Sequence, residues 1–276
     1  MTVIVTDSTA YLTRTEAVTL GVMVVPMSYS VDGGANYFEG YVDDSDAYEQ
    51  LVANNLMRMH TSQVPYATFV RAFTELRQSG HDVLCISISS RLSGTYANAT
   101  IAAQQVGGVH IEVVDAKLTA GGLSLLIREA RKLLERGMAL SEVAAAIRQR
   151  RSAVRTLFSV DDMEALRRSG RLGNVKMSIS TILNIKPLLM VDDGGIVSAG
   201  IARGQGEQTK KLIQMLGVPE GPVIVEQFLG AQMAHKLRSL LESAGHEVQV
   251  RRVGPVLGVH LGHGCVGVTW ISPTET

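Results

Sequence analysis

The sequence has few cysteines, few prolines and no net charge, and each shortage excludes a class of protein. There are only two cysteines, and neither lies in a Cys-x-x-Cys or Cys/His spacing typical of zinc sites. The chain has only 7 prolines, and 46% of its residues are hydrophobic, which together exclude a disordered chain. Because 26 basic residues balance 26 acidic ones, we expect no nucleic-acid partner and at most transient membrane contact.

Long apolar runs are also missing. The longest ones are strand-sized, well short of the roughly 20 residues that a membrane-spanning helix needs. The first residues, Met1-Thr2-Val3-Ile4-Val5-Thr6-Asp7, carry neither the basic stretch nor the apolar run of a signal peptide. We therefore expect a cytoplasmic protein without a membrane anchor. Cys85 and Cys265 are predicted to be buried thiols.

Short apolar segments alternate with amphipathic ones through the first two thirds of the chain. The pattern predicts strands at 82–89, 109–114 and 154–160, and helices at 66–79, 95–106 and 122–136. This alternation is typical of an α/β fold whose N-terminal sheet is largely parallel and flanked by helices. The turn Asp192-Asp193-Gly194-Gly195 predicts a hairpin, so the C-terminal sheet should be mixed and also carry helices.

The length favours two domains. A chain of 276 residues lies in the range of roughly 250 to 300 residues at which a single core stops growing. The basic run Arg148-Gln149-Arg150-Arg151 ends a predicted helix, where cations complement the helix dipole, and it marks a candidate junction. We predict an N-terminal α/β lobe at 1–152 and a C-terminal α/β lobe at 153–276, with a ligand cleft or tunnel between them.

The strongest local feature is the turn Ser93-Gly94-Thr95, where a predicted buried strand meets a predicted helix. Unpaired amides at a helix start bind anions, Gly94 permits close approach, and the two hydroxyls add donors. The alternative is that Ser93 only caps the helix. A serine-hydrolase elbow is disfavoured because the glycine two residues before Ser93 is missing. No phosphate-binding loop is present, so we expect no nucleotide site.

Three further clusters have both a functional and an ordinary structural interpretation. Thr61-Ser62-Gln63 lies before a predicted helix and suits either a ligand contact or a helix entry. The basic loop around Arg171 suits an anionic partner or a solvated turn. The glycine-rich segment 254–264 predicts a backbone bent closely around a ligand near His260, although a single histidine is more often structural.

Taken together, these clusters resemble the DegV family of bacterial fatty-acid-binding proteins. Each short motif is weak, but their order and approximate spacing along the chain are specific. The motifs are Asp7-Ser8-Thr9, Thr61-Ser62-Gln63, Ser93-Gly94-Thr95-Tyr96, Ser169-Gly170-Arg171-Leu172, and Pro255-Val256-Leu257-Gly258 followed by His260.

The resemblance implies a two-lobed protein that binds one long-chain fatty acid, with the acyl chain in an apolar tunnel. It implies no catalytic residue, no metal and no cofactor other than the bound lipid. The carboxylate contacts carried over are Thr61, Ser93 and His260, with Ser62, Gly94 and Thr95 nearby. Some family members present the acid to a separate ATP-binding fatty acid kinase subunit, which makes acyl phosphate for phospholipid metabolism. Arg171 matches the arginine linked to that reaction.

Two alternatives remain at this stage. One is a serine esterase or acyl-transfer enzyme that uses Ser93 with His260, and the other is a lipid sensor instead of a carrier. The chain also departs from the family pattern at two places. Val64-Pro65 follows Gln63 where the family usually has Pro-Ser, and His263 stands where proline is commoner.

Overall fold

The structure is a computed structural model that describes residues 1–43, 48–161, 163–172 and 184–273, and it is an α/β protein. Its strands are β1 (Thr2–Asp7), β2 (Val22–Val25), β3 (Met27–Val31), β4 (Tyr37–Glu39), β5 (Met59–Ser62), β6 (Asp82–Ser87), β7 (Ile111–Asp115), β8 (Val154–Ser159), β9 (Ile185–Asp192), β10 (Gly195–Arg203), β11 (Val223–Phe228), β12 (Val248–Arg252) and β13 (Cys265–Ile271). Its helices are α1 (Arg14–Thr19), α2 (Tyr48–Asn55), α3 (Tyr66–Gln78), α4 (Thr95–Val106), α5 (Ala120–Glu135), α6 (Leu140–Arg150), α7 (Glu164–Arg168), α8 (Gly204–Gln214), α9 (Ala231–Ser243) and α10 (Pro255–Leu261).

Two compact units divide the chain. Unit 1 comprises Met1–Asp46 and His60–Ser152, and unit 2 comprises Ala47–Met59 and Ala153–Thr276. The sequence prediction placed 1–152 in one continuous lobe, whereas here α2 and the turn after it belong to unit 2. They do so because α2 packs on α10 and the Tyr48 hydroxyl donates a hydrogen bond to the Val253 carbonyl at 3.4 Å. A contact between segments so distant in sequence has no local signal.

The main sheet of unit 1 is parallel, as predicted, with the strand order β2-β1-β6-β7. The chain continues from β1 to β2 at one edge of the sheet and from β6 to β7 at the other edge. The direction in which strands are added therefore reverses between β1 and β6. In such sheets the crevice outside the carboxyl ends of the two central strands is where ligands bind. The loop after β1 and the loop after β6 therefore occupy the favoured position for a binding site. A small second sheet has the order β4-β3-β5.

Helices α3 and α4 pack against each other beside the β6 loop. The apolar face of α3 is buried at Phe69, Phe73 and Leu76, and the chain leaves the helix through Gly80 at φ 77°, the left-handed geometry that glycine favours at a helix end. Helix α4 has the predicted bounds, Thr95–Val106. The start of α4 is therefore held by a neighbour that is itself anchored in the core.

Unit 2 contains a mixed sheet with the order β10-β9-β8-β13-β11-β12. Strands β9 and β10 form the predicted hairpin, and β13 lies in the middle, antiparallel to both β8 and β11. The prediction of a glycine-rich bend at 254–264 was wrong over most of its length. Helix α10 begins with Pro255 at its first turn, which suits proline because the missing amide would be unpaired there in any case.

None of the helices in the described part of the chain is long and apolar enough to cross a membrane. Both cysteines are buried, as predicted, and burial raises the pKa of each thiol. Over the same described residues, no group of histidine, cysteine, aspartate and glutamate side chains is placed to hold a metal ion.

Candidate functional site

The turn Ser93-Gly94-Thr95 lies in unit 1, at the end of the loop that follows β6. Gly94 is the N-cap of α4 and Ser93 precedes it, so Ser93 does not occupy the capping position that the sequence alternative assigned to it. Its hydroxyl oxygen instead accepts a hydrogen bond from the Thr95 amide at 3.3 Å. The Ser93 side chain is half-buried, whereas Thr95 is 0% exposed.

Two hydroxyl groups meet at this turn. Ser93 Oγ and Thr95 Oγ1 lie 2.9 Å apart, which is hydrogen-bond distance. Thr95 Oγ1 also accepts a hydrogen bond from the Val64 amide at 3.3 Å. The buried threonine thus connects the turn to the segment before α3.

That segment follows Thr61 and Ser62, and the structure brings its Gln63 and Val64 to the turn. Asn98 Nδ2 donates to the Val64 carbonyl at 2.9 Å, so α4 holds both polar groups of the Val64 backbone. The Gln63 carboxamide lies on Gly94, where a methyl group in place of hydrogen would approach Gln63 Cδ to 2.9 Å. Gln63 is exposed, so its flexible side chain has room to move away from a methyl group at position 94, and the contact does not by itself require glycine there. The contact does join two predicted clusters into one neighbourhood within unit 1.

Asp7 supports the loop that carries this turn, and the sequence assigned it no role of its own. It is 0% exposed and ends β1, and its Oδ2 accepts the Ile88 amide at 2.7 Å across the gap between the β1 and β6 loops. Its Oδ1 accepts the Thr9 amide at 3.1 Å and the Thr9 hydroxyl at 2.5 Å. Asp7 therefore joins the two loops at the point where the strand order reverses, and it positions the loop that ends at Ser93.

Burial raises the pKa of Asp7 above its ordinary value of 3.8, and the hydrogen bonds from Thr9 and Ile88 oppose that shift. The sequence motif Asp7-Ser8-Thr9 contributed to the family resemblance without an assigned role, and in the structure Asp7 caps the single 3-10 turn Ser8–Ala10. In the structure Ser8 Oγ donates to Glu39 Oε1 at 3.0 Å, and the Thr9 hydroxyl donates to Asp7. The motif acts as an internal brace, and an acidic residue at the end of a buried strand is the signal that could have indicated it.

Unit 2 contains the other predicted residues, His260 and Arg171. His260 lies in the last turn of α10, which packs on α7. Burial, reinforced by the positive charges of Arg171 and Arg168, lowers the pKa of His260 to about 4. The imidazole is therefore neutral near pH 7 and can donate a hydrogen bond from one ring nitrogen.

Arg171 is exposed and follows α7, and its guanidinium donates to the Ser169 carbonyl. Its effect on the pKa of His260 shows that the two side chains share a positive electrostatic environment. An anion near His260 would be favoured by that environment. Because Thr61, Ser93 and Thr95 belong to unit 1, joint binding of one ligand by residues of both units stays a prediction.

The two departures from the family pattern have simple structural consequences. Val64 is fully buried, and Pro65 precedes the first residue of α3 with the extended backbone of an N-cap position. His263 is exposed after the end of α10. Val64, Pro65 and His263 therefore lie outside the adjacent helices α3 and α10.

Comparison with known proteins agrees with this architecture. A DegV domain-containing protein of Halalkalibacterium halodurans is 31% identical over 277 residues, with 97% of each chain covered. The structure is similar to that of a fatty-acid-binding DegV family protein from Thermus thermophilus, at 29% identity, a TM-score of 0.87 and 99% coverage of both chains. It is also similar to DegV, a fatty acid binding protein from Bacillus subtilis, at 25% identity, a TM-score of 0.86 and 99% coverage of both chains.

The family model described as "Uncharacterised protein, DegV family" matches residues 1–273. With a match of this length and a relative above 30% identity over nearly the whole chain, the chain belongs to the DegV family.

Proposed function

We propose that this protein binds a long-chain fatty acid, whose carboxylate contacts Thr61, Ser93 and His260. The observation that carries the proposal is the whole-chain likeness to the Thermus thermophilus protein, which binds fatty acid. The polar turn at the switch point of the unit 1 sheet supports it, since that is the position where a ligand is expected. Ser62, Gly94 and Thr95 complete the proposed carboxylate neighbourhood.

A carboxylate does not need a directly paired cation in such a site. Hydrogen bonds from neutral donors to the ionised form offset the cost of removing it from water. Ser93 and Thr61 offer hydroxyl donors, and neutral His260 offers a ring N–H. The positive environment created by Arg168 and Arg171 at His260 adds a longer-range contribution of the right sign.

We further propose that the acyl chain lies in an apolar tunnel and that the protein is a carrier rather than an enzyme. In this role it presents the bound acid to a separate ATP-binding fatty acid kinase subunit, which forms acyl phosphate. The absence of a phosphate-binding loop from the sequence is consistent with a nucleotide site on another chain. Arg171 is exposed, which suits a contact with that subunit.

Ser93→Ala is expected to weaken oleate binding by about 10- to 100-fold, because a hydrogen bond to a charged group contributes roughly 1.5 to 3 kcal/mol. Isothermal titration of delipidated protein with oleate would measure the change, and mass spectrometry of extracted lipid would identify the natural ligand. Ser90→Ala is the matched control: Ser90 lies in the same loop, but its hydroxyl donates to Asp115 Oδ2 at 2.6 Å.

Equal affinities in the Ser93 and Ser90 variants would remove Ser93 from the site. Recovery of no fatty acid, together with no binding of added oleate or palmitate, would reject the function itself. The esterase alternative makes an opposite prediction, namely covalent labelling of Ser93 by a serine-reactive phosphonate. The carrier should keep its unmodified mass and release its lipid intact.

Arg171→Ala is expected to abolish most acyl-phosphate formation in a reaction reconstituted with a fatty acid kinase subunit and ATP, while oleate affinity stays within about twofold. The reason is that Arg171 is exposed and would act on the partner or the transferred phosphoryl group. Arg167→Ala, at another exposed arginine of the same segment, is the control. Normal turnover in Arg171→Ala, or a loss of turnover that a matching loss of oleate affinity explains, would show that its role had been assigned wrongly.

A further inference from the structure

The hydroxyl of Thr95 has a restricted set of partners. It accepts one hydrogen bond from the Val64 amide, and it lies 2.9 Å from Ser93 Oγ, where either oxygen could be the donor. The distances alone therefore leave the direction of the Thr95–Ser93 bond open. Burial decides it.

Thr95 is 0% exposed, so water does not take up its proton. Within the described ranges, Ser93 Oγ is the one acceptor at hydrogen-bond distance from Thr95 Oγ1. If Ser93 donated to Thr95, the Thr95 proton would be buried without an acceptor, which costs roughly as much as any unmade buried hydrogen bond. The bond therefore runs from Thr95 to Ser93.

With this direction of the bond, the Ser93 hydroxyl can act only as a hydrogen-bond donor towards any further partner. Its oxygen accepts the Thr95 hydroxyl and also the Thr95 amide at 3.3 Å, which occupies both lone pairs. What remains is the Ser93 proton, which can only be donated. The chain from the Val64 amide through Thr95 to Ser93 also polarises each successive hydroxyl.

We infer that Thr95 is a positioning residue that makes Ser93 an obligatory hydrogen-bond donor, so that the turn selects ligand head groups that are anionic acceptors. The inference rests on the proposed fatty-acid function and deepens it, because it says why a carboxylate is preferred to a neutral head group. A carboxylate accepts in a charge-assisted bond, whereas a fatty alcohol of equal chain length forms only a neutral one. Thr95 acts through Ser93 and need not contact the ligand.

Thr95→Val keeps the shape of the side chain and removes the hydroxyl. We expect this variant to lower the affinity for oleate about tenfold and the affinity for oleyl alcohol at most about twofold. The two affinities would be measured by titration on the same delipidated protein. A purely structural role would lower both affinities in proportion, so the ratio of the two is the decisive quantity. Thr95→Ser restores the hydroxyl and should restore the ratio.

Thr100→Val is a matched control on the same helix, since the Thr100 hydroxyl donates only to the Tyr96 carbonyl one turn earlier, at 2.9 Å. It should leave both affinities unchanged. An oleate-to-alcohol ratio that stays constant in Thr95→Val, or that Thr95→Ser fails to restore, would overturn the inference.

Neutron diffraction from crystals of the delipidated wild-type protein separates this inference from the proposed function. A deuteron on Thr95 Oγ1 directed at Ser93 supports the positioning role even if no lipid binds, in which case the proposed function alone fails. A deuteron on Ser93 Oγ directed at Thr95 overturns the positioning role even if oleate binds tightly.

Discussion

Replacing Gly258 by alanine should lower the free energy of unfolding by about 3 kcal/mol or more, at the upper end of the range for overpacked cores. Gly258 lies on the buried face of α10, against the ring of Phe228 in β11. A methyl group at position 258 would approach Phe228 Cδ2 to 2.7 Å, and Phe228 is only 1% exposed, so the ring has no room to retreat. Denaturation by urea would measure the loss.

The control for Gly258→Ala is Gly206→Ala. Gly206 lies in the first turn of α8, is exposed and has no atom within 4 Å of the position of an added methyl group. Alanine there should be neutral or should stabilise the protein by up to about 1 kcal/mol through helix propensity. Equal free energies of unfolding in the two variants would contradict the close contact between position 258 and the Phe228 ring. Phe228→Leu combined with Gly258→Ala should recover part of the loss, because the two sites share one volume.

Replacing Asp7 by alanine is the second change with a large expected effect, a loss of roughly 2 to 4 kcal/mol of unfolding free energy. The Ile88 amide, the Thr9 amide and the Thr9 hydroxyl would all lose their acceptor. The loop after β6 would also lose its tie to β1, so oleate affinity should fall as well. Urea denaturation and oleate titration of the same samples would measure the two effects.

The pH dependence of stability provides the control for Asp7. Burial raises the pKa of the Asp7 carboxyl in the folded state, whereas in the unfolded state that pKa is 3.8. The folded state therefore keeps the carboxyl proton at pH values at which the unfolded state has released it. The proton-linked part of the stability that Asp7 contributes is therefore complete below pH 3.8 and is lost as the pH rises through the raised pKa, whereas the hydrogen bonds that its oxygens accept are retained. Asp7→Asn cannot titrate, so the stability of wild type minus that of the variant should decrease from pH 3.8 upward. A difference that increased with pH would contradict the raised pKa.

Several elements could be predicted from the sequence because their signals are local. The bounds of α4 were predicted as 95–106, since hydroxyl and glycine residues precede an unbroken helical segment and a glycine follows it. The β9–β10 hairpin followed from its Asp-Gly turn, and α3 from one apolar face that ends at Gly80. The parallel sheet of unit 1 followed from strands that alternate with helices.

The missed elements are those in which a distant contact outweighs local propensity. Glycines in 254–264 suggested a bend, but Gly258 is there because the Phe228 ring leaves no space for a side chain, and the segment is helical. Segment 47–59 was assigned to the first lobe by its position in the chain, yet it packs with α10 in unit 2. Neither contact has a periodicity that a sequence window can detect.

For the site, the sequence by itself determined which hydroxyl groups are available, at Thr61, Ser93 and Thr95, and the family to which they point. Only the tertiary structure decided how they are used. Burial of Thr95 leaves its proton a single acceptor among the residues that the structure describes, and the buried Asp7 connects the loops on which the turn depends. The reason is physical: the direction of a hydroxyl bond and the pKa of a carboxyl depend on which atoms and how much water surround them, and folding alone sets both.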